Sequence, residues 1–76
     1  MEKLREILEG INPSIDYDKE KKLIDDHLLD SLNIIALIAE IEEEFDVTIP
    51  PKEIVSDNFN SLENLAYLIN RLKLEK

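Results

Sequence analysis

Asp30-Ser31-Leu32-Asn33-Ile34-Ile35-Ala36-Leu37-Ile38-Ala39-Glu40-Ile41-Glu42-Glu43-Glu44-Phe45 decides how this chain folds. Ile34, Leu37, Ile38, Ile41 and Phe45 recur at the spacing that lines one side of a 3.6-residue period, so they form a single apolar stripe on a helix. The spacing predicts a helix from Ser31 or Leu32 to Glu44 or Phe45 and makes it the central core element. Asp46-Val47-Thr48-Ile49 is β-branched and helix-poor, and Pro50-Pro51 bars any helix from running through while allowing Pro51 to open a new turn.

Upstream, Leu4, Ile7, Leu8 and Ile11 predict a short first helix from Glu2 to Leu8 or Glu9, with Gly10 as its stop and Pro13 beyond. Residues 12 to 30 form a long connection, pinned to the core by Ile15, Tyr17, Leu23, Ile24, Leu28 and Leu29 and with room for one helical turn near Lys19 to Ile24. Downstream, a short helix from Pro51 to Val55 would bury Ile54 and Val55. Asn60-Ser61 offers an N-cap with Glu63 as the capping-box partner of Asn60. A last helix from Leu62 to Leu72 would bury Leu62, Leu65, Ala66, Ile69 and Leu72, with Arg71 and Lys73 complementing its dipole. The expected architecture is all-α: a four-helix bundle of three longer helices and one short one, with a long first loop, in a single domain over residues 1–76.

Composition narrows the function. Seventy-six residues leave no room for a separate catalytic domain. The 43% hydrophobic content is too high for a disordered acidic tail, and zero Cys removes disulfides, thiolate metal sites and a cysteine nucleophile. No apolar run approaches the roughly 18 residues of a membrane span, Met1-Glu2-Lys3 opens directly into helix-like sequence, and a cytoplasmic chain starting at or near Met1 is expected. Net charge is -9, concentrated between Leu23 and Asn70, where eleven acids face one base, Lys52. Such a field repels nucleic acid and anionic membrane and steers the protein toward basic protein surfaces.

Ser31 stands where the connection ends and the main helix begins, either as that helix's cap or as an exposed hydroxyl in the positive field of unpaired amides, where a phosphate ester is favoured. Without cysteine, any thiol chemistry must arrive on a group attached to such a residue. Ser14, Ser56 and Ser61 have loop or capping roles. A serine hydrolase, which would turn over esters on its own, lacks its expected parts: His27 is the sole histidine, a loop-to-helix break separates it from Ser31, and Gly10 as sole glycine leaves no Gly-x-Ser-x-Gly elbow. Asp16-x-Asp18-x-Glu20 fails as a calcium loop, because Lys21 falls where glycine is required and His27 where a bidentate Glu is required. Pro13 likewise disqualifies Asn12-Pro13-Ser14 as a glycosylation site.

Glu40, Glu42, Glu43 and Glu44 oppose the dipole at the C-terminal end of the main helix, a cost that points to a partner. Ile35, Ala36 and Ala39 lie off the core stripe, between Ser31 and these acids. An apolar patch with an acidic border suits docking to a protein with an apolar patch and basic rim. The residues alone leave open a helical protein–protein adaptor without a prosthetic group.

Leu28-Leu29-Asp30-Ser31-Leu32 followed by Ile41-Glu42-Glu43-Glu44-Phe45-Asp46-Val47-Thr48-Ile49-Pro50 resembles the phosphopantetheine-dependent acyl and peptidyl carrier proteins, over about Leu23 to Leu72. The resemblance implies that a separate, magnesium-dependent phosphopantetheinyl transferase moves 4'-phosphopantetheine from coenzyme A to Ser31. The arm's thiol would then hold an acyl or aminoacyl group as a thioester, for a monomeric, non-catalytic shuttle serving an activating ligase and a downstream acyltransferase or synthase. Asp30 matches the family's acid beside the serine, which assists transferase recognition and metal placement. Leu32, Ile35, Ala36, Ala39, Glu42 and Glu43 match partner-docking positions. Ile54, a further docking position, lies with Val55 near the third helix, which in the family closes over the cargo. Leu28-Leu29 before Asp-Ser, with Asn33, Ala36 and Ala39 following, is closer to free-standing aminoacyl carriers, including D-alanyl carriers, than to fatty-acid carriers.

Overall fold

The computed structural model describes residues 2–75, so the expected chain start at Met1 lies outside them. Four helices follow one another as α1 (Glu2–Ile11), α2 (Ser31–Phe45), α3 (Ser56–Phe59) and α4 (Leu62–Leu74), with one 3-10 turn at Pro51–Glu53. There is no strand among the described residues. This is the expected all-α architecture of three longer helices and one short one. α1 packs on α2 and α4, and α3 packs on α4.

The core is built where apolar stripes converge. Leu4 and Leu8 of α1, Leu37 and Ile41 of α2, and Leu65, Leu68 and Ile69 of α4 are all fully buried. Each such side chain contributes on the order of 1.5–3 kcal/mol of burial free energy. Ile7 of α1, Tyr17, Leu23 and Leu29 from the connection, Val47 and Ile49 from the segment after α2, Phe59 of α3 and Leu72 of α4 complete it. Val47 and Ile49 are buried while Thr48 is exposed, the period-two alternation of extended chain. Leu62 and Ala66 are only partly buried, and the stripe on α4 instead gains Leu68.

Four local expectations are corrected. First, α1 continues through Gly10 to Ile11, and the Asn12 amide still donates to the Leu8 carbonyl at 2.9 Å. Pro13 supplies the stop, because it disfavours helical geometry at the preceding residue and has no N–H to donate.

Second, the helical turn of the connection lies at Lys22–Asp26, closed by His27 in the left-handed region at φ 57°. The His27 amide donates to the Ile24 carbonyl at 3.0 Å and the Leu28 amide to the Leu23 carbonyl at 2.9 Å. That is the bond pair of a Schellman closure, with histidine where glycine usually stands. The rest of the connection holds a second backbone turn, with the Lys19 and Glu20 amides donating to the Asp16 carbonyl at 3.1 and 2.9 Å, and side-chain oxygens that mimic backbone turns: Asn12 accepts from the Ser14 amide and Asp16 from the Asp18 amide, each at 3.1 Å. The buried Tyr17 hydroxyl donates toward the carbonyls of Leu8 and Asn12, both at 2.8 Å, tying the loop to the end of α1. Burial, reinforced by the Glu9 charge, pushes the Tyr17 hydroxyl's pKa up.

Third, the segment after Pro50 does not form a helix to Val55. It makes one 3-10 turn, then an inverse γ-turn at Ile54 (φ -85°, ψ 74°) with the Val55 amide donating to the Glu53 carbonyl at 3.0 Å. Ile54 and Val55 are consequently 41% and 49% exposed rather than buried, and Phe59 of α3 takes the core position. Fourth, the capping box placed on Asn60 and Glu63 does not form. Ser61 caps α4 by accepting from the Asn64 amide at 3.1 Å, while Glu63 accepts from Lys21 Nζ at 2.6 Å. Asn60 turns inward.

Candidate functional site

Asp30, not Ser31, caps α2. Its carboxylate accepts from the Asn33 amide at 2.8 Å, and the Asn33 side-chain oxygen accepts from the Asp30 amide at 3.2 Å, a reciprocal capping box. Ser31 is therefore the first helical residue, exposed and without a capping duty. The Ile34 amide donates to the Asp30 carbonyl at 3.0 Å. With Asn33 and Ile34 satisfied, the amides of Ser31 and Leu32 are the donors at this helix end that have no acceptor among the described residues. No acid occupies the first turn of α2. A hydroxyl here is presented to solvent in a favourable field for a phosphodiester, so the residues present fit the group.

Beside Ser31, α2 exposes apolar surface. At about 100° per residue, Leu32, Ile35, Ala39 and Glu43 fall on the side of α2 turned away from the Leu37–Ile41 line. Leu32 is 76% and Ile35 64% exposed, and Ala36, Ala39 and Glu43 are exposed as well. Ile54 joins them as an exposed apolar residue on the segment before α3. Glu42 differs: it is half-buried, and its carboxylate accepts from the Ile49 amide at 2.8 Å, holding the extended segment against α2. Glu44 lies 3.4 Å from Lys3 of α1. Two of the four acids thus have an intramolecular return, which the sequence argument for a partner had not counted.

Ile34, one helical turn from Ser31, also lines a cleft with Ile24, Ile54, Val55, Ser56 and Phe59. Its volume is about 150 Å³, well below the ~300–1,000 Å³ of pockets that enclose drug-sized ligands. Two polar anchors flank it. Glu53 makes a paired contact with Arg71 of α4, at 2.7 and 2.9 Å, and Asn58 donates to the Glu53 carbonyl at 2.8 Å and to its carboxylate at 3.1 Å. On the other side, Asn60 accepts from the amides of Ile24 and Asp25 at 2.9 and 3.1 Å, donates to the Asp25 carboxylate at 3.2 Å, and its carbonyl accepts from the Leu23 amide at 2.8 Å. This residue holds the turn that leads into Asp30-Ser31. A polar residue between Phe59 and Leu62 was its signal in the sequence, and Asp30-x-x-Asn33 was that of the α2 cap.

The Arg71 hydrogen bonds lower the Glu53 carboxyl pKa below its ordinary 4.5. A lowered carboxyl pKa contributes stability that is present above pH 4.5 and lost as pH falls through the folded-state value. Glu53→Gln is accordingly expected to melt below wild type at pH 7, with the gap closing as pH drops below 4.5. Thermal melts of both proteins across pH 7 to 3 measure it, and a gap that stays constant refutes the assignment.

The chain's similarities agree with this geometry. A family model described as a phosphopantetheine attachment site matches residues 2–69. The D-alanyl carrier protein of Lactococcus lactis subsp. lactis is 29% identical over 76 residues, covering 97% of this chain and 96% of that protein. The D-alanyl carrier protein of Listeria monocytogenes is 35% identical over 74 residues, covering 95% of each. Aminoacyl carrier protein 1 of Bradyrhizobium diazoefficiens is 38% identical over 63 residues, covering 83% of this chain and 69% of that one. No solved structure matches significantly. No helix among the described residues is long and apolar enough to cross a membrane. The chain belongs to the phosphopantetheine-attachment family: it is a carrier protein for acyl or aminoacyl groups, not itself an enzyme, that bears covalent 4'-phosphopantetheine and works with separate partner enzymes.

Proposed function

We propose that Ser31 is the attachment atom and that the cargo is a small aminoacyl group, D-alanyl foremost. The observation that carries the first part is the position of Ser31: exposed at the first residue of α2, relieved of capping by Asp30, and bordered by exposed Leu32 and Ile35. In the transfer, Ser31 Oγ forms the new P–O bond to the phosphorus that bears pantetheine, its proton passes to a base on the transferase, and the phosphoanhydride bond of coenzyme A breaks with adenosine 3',5'-bisphosphate as the leaving group. Asp30 keeps one carboxylate oxygen beyond its cap bond for recognition by that transferase. When attached, the arm supplies a thiol that holds the cargo as a thioester.

The size of the cargo is supported by the cleft of about 150 Å³ beside Ile34 and by the names of the relatives, D-alanyl and aminoacyl carriers. Leu32, Ile35, Ala36, Ala39, Glu43 and Ile54 form the face that meets the transferase, the amino-acid-activating ligase and the downstream acyltransferase, with Glu42 bracing it from within. The chain acts as one monomeric domain over residues 1–76 in the cytoplasm. The family match favours this reading over an adaptor without a prosthetic group.

The test is incubation with coenzyme A and a broad-specificity phosphopantetheinyl transferase, peptide mapping of the added mass, then loading with D-alanine or hexadecanoate by the corresponding ATP-dependent ligases. The added group is expected on the Ser31 peptide, with D-alanine loaded in preference. Modification at Ser14, Ser56 or Ser61 overturns the site, and preference for hexadecanoate overturns the cargo.

A further inference from the structure

The cleft beside Ile34 is lined by two kinds of wall. Phe59 is buried, and Ile24 and Ile34 pack against the core. The remaining wall, Ile54, Val55 and Ser56, is exposed. From Pro51 to Asn58 no residue is buried, so apolar packing does little to fix this segment. Its two half-buried residues are Glu53 and Asn58, and they are bonded to each other and to α4. Asn58 donates to the carbonyl and the carboxylate of Glu53, and the Val55 amide donates to the same carbonyl. Both Glu53 carboxylate oxygens accept from Arg71, at 2.9 Å from Nη1 and 2.7 Å from Nη2, a paired contact that sets direction as well as distance. Exposed single-contact ion pairs orient little, but here the side chains are only 16% and 32% exposed. Ile54 and Val55 follow Glu53 directly in the chain, so whatever orients Glu53 aims the apolar wall. A further tie to α4, Asn64 donating to the Asp57 carbonyl at 2.7 Å, lies past that wall.

We propose that Arg71 is a positioning residue that limits the length of the cargo: by gripping Glu53 it keeps Ile54 and Val55 as a fixed wall, so the cleft stays at about 150 Å³ and gives a longer acyl tail no shelter. The proposal rests on Ser31 as the attachment atom and deepens the small-cargo reading by naming the residue behind it. Without the grip, the segment before α3 has no buried side chain to hold it in place. An apolar tail entering beside Ile34 then gains by displacing Ile54 and Val55 and covering their exposed surface. An aminoacyl group carries an ammonium and gains nothing from an apolar cleft.

The test attaches the arm to wild type, Arg71→Lys and Arg71→Gln with coenzyme A and a phosphopantetheinyl transferase, then treats each with methyl or octyl methanethiosulfonate. The arm's thiolate attacks the sulfenyl sulfur, methanesulfinate leaves, and a mixed disulfide carries the short or long tail. The chain has no cysteine, so the tail goes to the arm alone. Intact mass and peptide mapping verify loading, and the readouts are melting temperature and the rate of disulfide reduction by dithiothreitol. In wild type the two forms are expected to melt within about 2 °C of each other and to be reduced at the same rate. In Arg71→Gln the octyl form is expected to melt about 4–8 °C above the methyl form, the response of a domain this size to burial of a few methylenes. Its reduction should be about threefold slower, because a tucked tail withholds the disulfide. Arg71→Lys keeps the charge but loses the fork and should fall between; if Arg71→Gln does not fold, Arg71→Lys decides by the same comparison. A purely structural role lowers both forms of a variant equally and leaves reduction unchanged. That result, or a wild type that already distinguishes the two tails, overturns this proposal alone. Absence of the arm on Ser31 of wild type overturns it together with the attachment site.

Discussion

Ser31→Ala is expected to accept no phosphopantetheinyl group and to fold at least as stably as wild type. The two halves of this result come from different links of the argument. Loss of attachment follows from removal of the only atom at this helix end that can form the P–O bond. Retained stability follows from the capping geometry, in which the carboxylate of Asp30 and not the hydroxyl of Ser31 satisfies the Asn33 amide. At the first helical position Ala is a better helix former than Ser, by at most about 0.5 kcal/mol. The melting temperature should therefore hold or rise by up to ~4 °C. Were Ser31 the cap, the same change would cost about 1 kcal/mol, or roughly 4–8 °C. Intact mass after transferase treatment and a thermal melt of the same sample decide both points. A modified Ser31→Ala protein would sink the site, and a melt several degrees low would sink the cap.

Asn60→Ala is expected to be the more damaging change to the fold, costing about 2–4 kcal/mol. The side chain is 7% exposed and its oxygen serves two amides, those of Ile24 and Asp25. Alanine provides no acceptor, so both amides lose their protein partner beside the buried Phe59 and Ser61. For a domain of 76 residues, total stability is on the order of 4–11 kcal/mol, so the loss is a large share. A drop of about 10–25 °C in melting temperature is expected. Amide exchange should rise first at Leu28 and Leu29, whose amides both donate to the Leu23 carbonyl in the turn that Asn60 holds. The consequence for function is positional, because this turn sets where Asp30 and Ser31 begin α2. A variant within about 1 kcal/mol of wild type would show that the turn stands without Asn60.

How much of this was legible beforehand depends on the range of the forces involved. α2 and α4 were readable to within a few residues because their apolar spacing is a local property of ten or more positions. The Asp30-Ser31-Leu32 motif was readable as a helix start, but Asp and Ser are both preferred caps, and the spacing to Asn33 had to be seen in three dimensions to choose between them. The opposite error occurred at Asn60-Ser61, where two cap formers stand together and the first was paired with Glu63. Local pattern could not show that Asn60 faces the turn around Ile24, 36 residues away, or that Lys21 reaches Glu63 across 42. The expected helix to Val55 failed for a related reason: contacts from Asn58 and Arg71 hold Glu53 at the end of a 3-10 turn, leaving Ile54 to turn outward.

By itself the sequence determined the all-α class, the central helix, the acidic field and the serine most suited to carry a group, since each follows from composition or from spacings of a few residues. Tertiary structure alone decided which polar groups face inward. It committed Glu42 to the Ile49 amide, gave Asp30 rather than Ser31 the cap, limited the cleft beside Ile34 to about 150 Å³, and made Asn60 the brace behind the attachment turn. The physical reason is that a hydrogen-bonding group pulled away from water is satisfied by whatever packing brings near it, and packing joins residues that no local pattern connects.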